Sequence, residues 1–238
     1  RRPNAHPSRA PRLPLEARPA TDTRTVTNRC LGLAVVAAAF ALPPAVGRAG
    51  DAPEGLDARV RGFLERARHD WHDLNVPYED GQVLHDLIVK KGFKRGLEIG
   101  TSTGHSGVWI AWAMSQTGGK LVTIEIDERR HEIAKKNFEA AGVSRFVDAR
   151  FGNAHELVKE LPGPFDFVFS DADKDWYTQY FKDLDGKLTV DGCFTAHNVL
   201  DGFAGVGAFL DYVRARPNYV TTIDHTSRSG ISVSCKTR

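Results

Sequence analysis

Cysteine is scarce in this chain: Cys30, Cys193 and Cys235 are the only three among 238 residues, and no two have C-x-x-C spacing. So sparse and odd a set defines neither a disulfide framework nor a zinc site. Cys193 and Cys235 fall in strand-like stretches, where cysteine is expected as a small core hydrophobe. No apolar run approaches the roughly 20 residues needed to span a bilayer, so no stable membrane span is expected. An excess of positive charge is also missing from the body of the chain. From Asp51 onward there are 24 basic and 28 acidic residues, four more acids than bases, which leaves no electrostatic footprint for nucleic acid. No internal repeat is visible.

The first 50 residues differ in kind from the rest. They hold eight arginines against Glu16 and Asp22, and "RRPNAHPSRAPRLPLEARPATDTRT" is rich in Pro and Arg without hydrophobic periodicity, which predicts disorder. In "NRCLGLAVVAAAFALPPAVGRAGD", Arg29 precedes a short apolar run, a Pro pair and the small residues Gly47 and Ala49, the shape of a secretory signal peptide. Export, a mis-set start and a merely greasy tail are the three readings of residues 29–50. Residues 51–238 suit one large domain with its own core.

Within that domain the periodicity alternates. "GLDARVRGFLERARHDWHDL" sets Leu56, Val60, Phe63, Leu64 and Ala67 on one helical face, and a second helix is expected over 81–90. Strands then alternate with helices: "GLEIG", "KLVTIEID", "RFVDARFG", "FDFVFSDAD" and "LTVDGCFTAHNVL" are separated by helical stretches, and Gly118-Gly119 and Gly142 sit at helix stops. "YVTTID" and "GISVSCK" close the chain as strands. Such alternation predicts βαβ units, a parallel sheet covered on both faces and an α/β fold, with ligands at the carboxyl ends of the strands.

The polar residues cluster where that rule directs attention. In "LEIGTSTGHSG", Gly100, Gly104 and Gly107 form a strand-to-helix glycine turn whose spacing is not that of a dinucleotide fingerprint. Glu125 ends the next strand, 25 residues after Gly100, where an acid can accept the hydroxyls of a ribose. Glu98, two residues before the turn, opposes a pyrophosphate and suits a ligand carrying ammonium and sulfonium groups. That favours S-adenosylmethionine over NAD; the opposing reading pairs Glu98 elsewhere and leaves Glu125 as a solvated strand end.

Taken in order, "GLEIGTSTGHS", "VTIEID", "FDFVFSDADKDWY" and "DGCFTAHNVL" resemble the class I S-adenosylmethionine-dependent O-methyltransferases of the catechol and caffeoyl-CoA type, from about residue 54 to the end. The resemblance implies a Rossmann-like, seven-stranded, mostly parallel sheet with helices on both faces and a reversed final strand. It also implies a homodimer and methyl transfer to a hydroxyl of a small, often catecholic, molecule. The implied cofactor-binding residues are Glu98, Gly100, Thr101, Gly104 and Ser106 for the methionine part, Glu125 for the ribose, Asn153 and Ala154 for the adenine side, and Asp171. Asp171 with a strand-end pair is the implied divalent-metal site, and Lys174 the implied proton acceptor.

The strand-end pair is where the sequence departs from the family pattern. It reads His197-Asn198 rather than Asp-Asn, so the implied ligands are Asp171, His197 and Asn198. Histidine removes one negative charge and favours Mn, Fe or Zn over Mg. Asp201 is a candidate to restore that charge. Three readings of His197 stand side by side: a rebuilt site for a softer metal, metal-free catalysis with His197 or Lys174 as the base, and a satisfied histidine in a domain that binds cofactor but catalyses little. His69 and His72 lack a third ligand and are expected to be surface or packing residues. His105 is expected beside the cofactor, and Trp71, Tyr78, Trp176 and Tyr177 are candidates to stack on a planar acceptor or simply to pack. Because S-adenosylmethionine is made and kept in the cytoplasm, cytoplasmic action is favoured over export.

Overall fold

The computed structural model describes residues 53–71 and 73–238. The tail and signal-like segment, residues 1–50, and His72 lie outside the described residues.

Seven α-helices and seven strands follow one another as α1 (Pro53–Arg66), α2 (Tyr78–Lys91), β1 (Arg95–Ile99), α3 (His105–Thr117), β2 (Lys120–Glu125), α4 (Glu128–Ala141), β3 (Val147–Phe151), α5 (Ala154–Glu160), β4 (Phe165–Ser170), α6 (Tyr177–Asp185), β5 (Leu188–His197), α7 (Ala204–Arg214), β6 (Tyr219–Asp224) and β7 (Ile231–Lys236) among the described residues. The strands form one sheet in the order β3-β2-β1-β4-β5-β7-β6. The pairs from β3 to β5 are parallel, and β7 runs antiparallel between β5 and β6. The α/β sheet with a reversed final strand is therefore as expected.

Strand alternation divides the core in two. Phe167, Phe169 and Cys193 face one side, packed with Leu56, Val60, Leu64, Leu84, Ile88, Trp109 and Phe138 from α1 to α4. Leu97, Ile99, Val168, Phe194 and Ala196 face the other, against Val158, Tyr177, Phe181 and Phe209 from α5 to α7. Leu56, Val60 and Leu64 are buried, as their spacing requires.

Two elements depart from the expected pattern. The first helix stops at Arg66 instead of running on to Leu74. Past it, Asp73 is held by Arg130, with contacts of 2.9 and 3.2 Å, and the Asp73 side chain accepts from Leu74 N. These bonds draw the connection onto α4 rather than along a helix axis. Cys193 and Cys235 are the second correction: they stand opposite each other in the β5–β7 register and form a disulfide. Their sequence separation of 42 hid a pairing that only strand register creates.

Candidate active site

The carboxyl ends of β1 to β5 open on a cavity of about 570 Å³, a size usual for a small-molecule site. Sheet order reverses across β1 and β4, and the cavity lies at that switch point. Gly100, Glu125, Asn153, Ala154, Asp171, Lys174, His197 and Asn198 all line it. These eight residues come from five strand ends.

Glu125 is fixed by the backbone around it. Its carboxylate accepts from Ser102 N at 2.6 Å, Ile126 N at 3.0 Å and Asp127 N at 2.9 Å. Asp127 then caps α4 by accepting from Arg130 N at 2.9 Å. A carboxylate has about four acceptor positions, so one remains for a ligand hydroxyl. Gly100 has φ +98°, and a Cβ there would lie 2.8 Å from the carbonyl oxygen of Asp171. The glycine thus lets the ends of β1 and β4 approach as well as leaving the cavity wall open. Asn153 caps α5, its side-chain oxygen accepting from His155 N at 3.0 Å.

The other first-motif residues lie behind the wall. Glu98, Thr101, Gly104 and Ser106 are buried and do not line the cavity. On β1, Leu97 and Ile99 face α5 to α7, so Glu98 points the opposite way, beneath α3. It accepts from Thr123, its partner in the β1–β2 register, at 2.6 Å. Burial raises its carboxyl to about 8, more than hydrogen bonds from Ser106 and Thr123 lower it. Its carboxyl therefore faces Thr123 and Ser106 behind the wall and not the open cavity. His105 is also walled in. Nδ1 lies 2.8 Å from Val76 O, Nε2 accepts from Trp109 at 3.2 Å, and burial lowers its pKa to about 4. The ring is neutral and stacks on Trp71. None of Trp71, Tyr78, Trp176 and Tyr177 lines the cavity; Trp176 stacks on His155, which does. His69 is exposed.

At the far end of the cavity, Lys174 Nζ donates to Asp171 Oδ1, and His197 Nδ1 lies 3.3 Å from Asp171 Oδ2 at ion-pair distance without hydrogen-bond alignment. His197 Nε2 is 2.7 Å from Oδ2 of Asp80, a wholly buried carboxylate from the first turn of α2. Ser227 donates to the same oxygen at 2.7 Å. Burial acts to lower the His197 pKa, and the carboxylates of Asp171 and Asp80 overcome it, holding the ring at about 9. Asp80 was missed in the sequence because a first-turn acid reads as a helix-dipole residue. Nothing local ties it to a histidine 117 positions away.

The implied divalent metal does not fit this donor set. Such an ion takes several free oxygen ligands or unprotonated imidazole nitrogens. Here Lys174 Nζ donates to Asp171 Oδ1, both His197 nitrogens face carboxylates, and Asn198 Nδ2 donates to Asp201 Oδ2 at 2.7 Å, which leaves the Asn198 Oδ1 as the one amide oxygen without a bond at the site among the described residues. Asp201 therefore positions Asn198 instead of replacing a lost charge at the site. Among the described residues, no group of three or more His, Cys, Asp or Glu side chains could hold a metal ion.

Residues 58–211 match the family described as O-methyltransferase. The chain belongs to that family. It is 39% identical over 113 residues to a catechol O-methyltransferase from Niastella koreensis, covering 46% of this chain and 51% of that protein. Against caffeoyl-CoA O-methyltransferase 1 of Arabidopsis thaliana it is 32% identical over 140 residues, covering 56% of this chain and 54% of the relative. The chain thus spans about half the length of the curated relatives it matches. Two solved structures are similar at TM-score 0.66: an O-methyltransferase from Bacillus cereus in complex with SAH, 26% identical over 76% of this chain and 91% of that one, and the O-methyltransferase TomG of Streptomyces achromogenes in complex with SAM, 28% identical over 76% and 90%. The family resemblance expected from the motifs is borne out.

Proposed function

We propose that this chain is an O-methyltransferase that moves the methyl group of S-adenosylmethionine to a hydroxyl of a small molecule. The observation that carries the reading is the single cavity joining Glu125, fixed by three backbone N–H groups, to the Lys174–Asp171 pair. Similar chains bound to SAH and SAM support the same cofactor here.

Glu125 takes a ribose hydroxyl, the open backbone at Gly100 the methionine part, and Asn153 and Ala154 border the adenine. Glu98, Thr101, Gly104 and Ser106 act from behind, holding the turn. The acceptor oxygen attacks the methyl carbon, the carbon–sulfur bond breaks and S-adenosylhomocysteine leaves. Lys174, held beside Asp171 at the far end of the cavity, takes the proton of the acceptor hydroxyl as its oxygen attacks the methyl carbon. Leu74 and Phe203, both exposed at the cavity mouth, suit an apolar or aromatic acceptor. A homodimer belongs to the same reading, and sizing of the purified protein checks it.

The site of action is drawn two ways. Supply of the methyl donor favours the cytoplasm, whereas the Cys193–Cys235 disulfide favours an oxidising compartment. No helix among the described residues is long and apolar enough to cross a membrane.

Calorimetry with S-adenosylhomocysteine is the direct test. Binding that weakens by about 10- to 100-fold in Glu125→Ala is expected, from the loss of a hydrogen bond to a charged group. NAD binding with no S-adenosylhomocysteine binding would sink the proposal.

A further inference from the structure

Three hydroxyl side chains follow one another in the turn from β1 into α3: Thr101, Ser102 and Thr103, all of them buried. The outer two are bonded within the protein. Thr101 Oγ1 pairs with Thr123 Oγ1, and Thr103 Oγ1 accepts from Asn75 Nδ2 at 2.8 Å. Ser102 is 8% exposed and lines the cavity, yet its Oγ has no hydrogen-bond partner among the described residues. A buried hydroxyl in that state carries a desolvation cost, which a polar group of a bound ligand can remove.

The backbone at this position is also unusual. Ser102 has φ +49°, between Gly100 and Gly104 at +98°, so it keeps a side chain where left-handed backbone favours glycine. Its N–H donates to Glu125 Oε2 at 2.6 Å, which sets the serine against the carboxylate at the ribose position. That carboxylate already accepts from three backbone N–H groups and has one acceptor position open. A ribose carries two adjacent hydroxyls, at 2′ and 3′. One of them is left without a partner on Glu125, and the hydroxyl of Ser102, on the same wall, is without a partner in the protein.

We propose that Ser102 is a cofactor-binding residue: its side-chain hydroxyl bonds one ribose hydroxyl while Glu125 accepts from the other. A serine hydroxyl rotates, and it can donate to or accept from a ribose oxygen. The inference rests on the methyl-transfer reading of the cavity.

Calorimetry of the full chain with S-adenosylhomocysteine and with its 2′-deoxy and 3′-deoxy analogues tests this division of the ribose. Both analogues are expected to bind the unaltered chain more weakly than the parent compound. The analogue lacking the hydroxyl held by Glu125 should lose about 10- to 100-fold, and the one lacking the hydroxyl held by Ser102 about three- to tenfold. In Ser102→Gly, which suits a positive φ and should hold its Tm, S-adenosylhomocysteine should bind about three- to tenfold more weakly. The second analogue should then bind this variant no worse than the parent does. Full affinity of Ser102→Gly for S-adenosylhomocysteine, or an equal loss for the parent and both analogues, would overturn the inference. If the variant does not fold, the unaltered chain decides: an analogue that binds it as tightly as the parent overturns the inference, and losses with both support it. No binding of S-adenosylhomocysteine to the unaltered chain sinks the methyl-transfer reading and the inference with it, whereas binding that is indifferent to Ser102 sinks the inference alone.

Discussion

Lys174 and His105 show how one side chain's neighbours decide its chemistry. Lys174 sits at the cavity on the strand-end side of α6, tied to Asp171 and over the ring of Tyr177 at 5.3 Å. Lys174→Met should lower kcat by about 10²- to 10⁴-fold, with S-adenosylhomocysteine binding retained in calorimetry, since the cofactor contacts lie elsewhere in the cavity. His105 is held neutral at about 4 by burial. Its folded pKa is below the unfolded value, so its contribution to stability is complete above about 6.5 and is lost as pH falls towards 4. In urea melts across that range, the stability gap between wild type and His105→Asn should narrow as pH falls; a constant gap would contradict the assignment. At this scale the sequence was legible where a residue ends a strand, as with Glu125, Asp171 and His197. It was not legible where a side chain points away from the end, as with Glu98, or where a partner arrives from a distant helix, as with Asp80.

Elements place these residues through a few close approaches. The turn from β1 into α3 runs through Gly100 and Gly104, each at φ +98°, and a methyl group at Gly100 would press on the backbone of Asp171. Gly100→Ala should cost about 1–3 kcal/mol from backbone strain alone, read as a fall of several degrees in Tm, and should weaken cofactor binding at the same wall. An unchanged Tm would mean that the two strand ends can part without cost. Helix stops at Gly118 and Gly142 and the alternation along β4 were readable because each depends on local conformation or on a period of two. The end of α1 was not readable, because the bond from Asp73 to Arg130 that redirects the chain is made across 57 residues.

Across the whole molecule, the disulfide ties β7 to the sheet interior and closes the stretch containing α7 and β6. A crosslink spanning 42 residues is worth about 4 kcal/mol in loop entropy. Reduction, or Cys235→Ala, should lower the Tm by several degrees. Thiol titration of protein taken directly from cells then reports the compartment: blocked Cys193 and Cys235 favour an oxidising one, free thiols the cytoplasm. By itself the sequence determined the alternating α/β order, the glycine turn, the acids at successive strand ends and the family, since all of these are written in local periodicity and contiguous motifs. Only the tertiary structure decided that Glu98 turns away from the cavity, that Cys193 meets Cys235 and that Asp80 reaches His197. Each of those outcomes depends on strand register and helix docking, which bring distant residues together and leave no mark in the spacing along the chain.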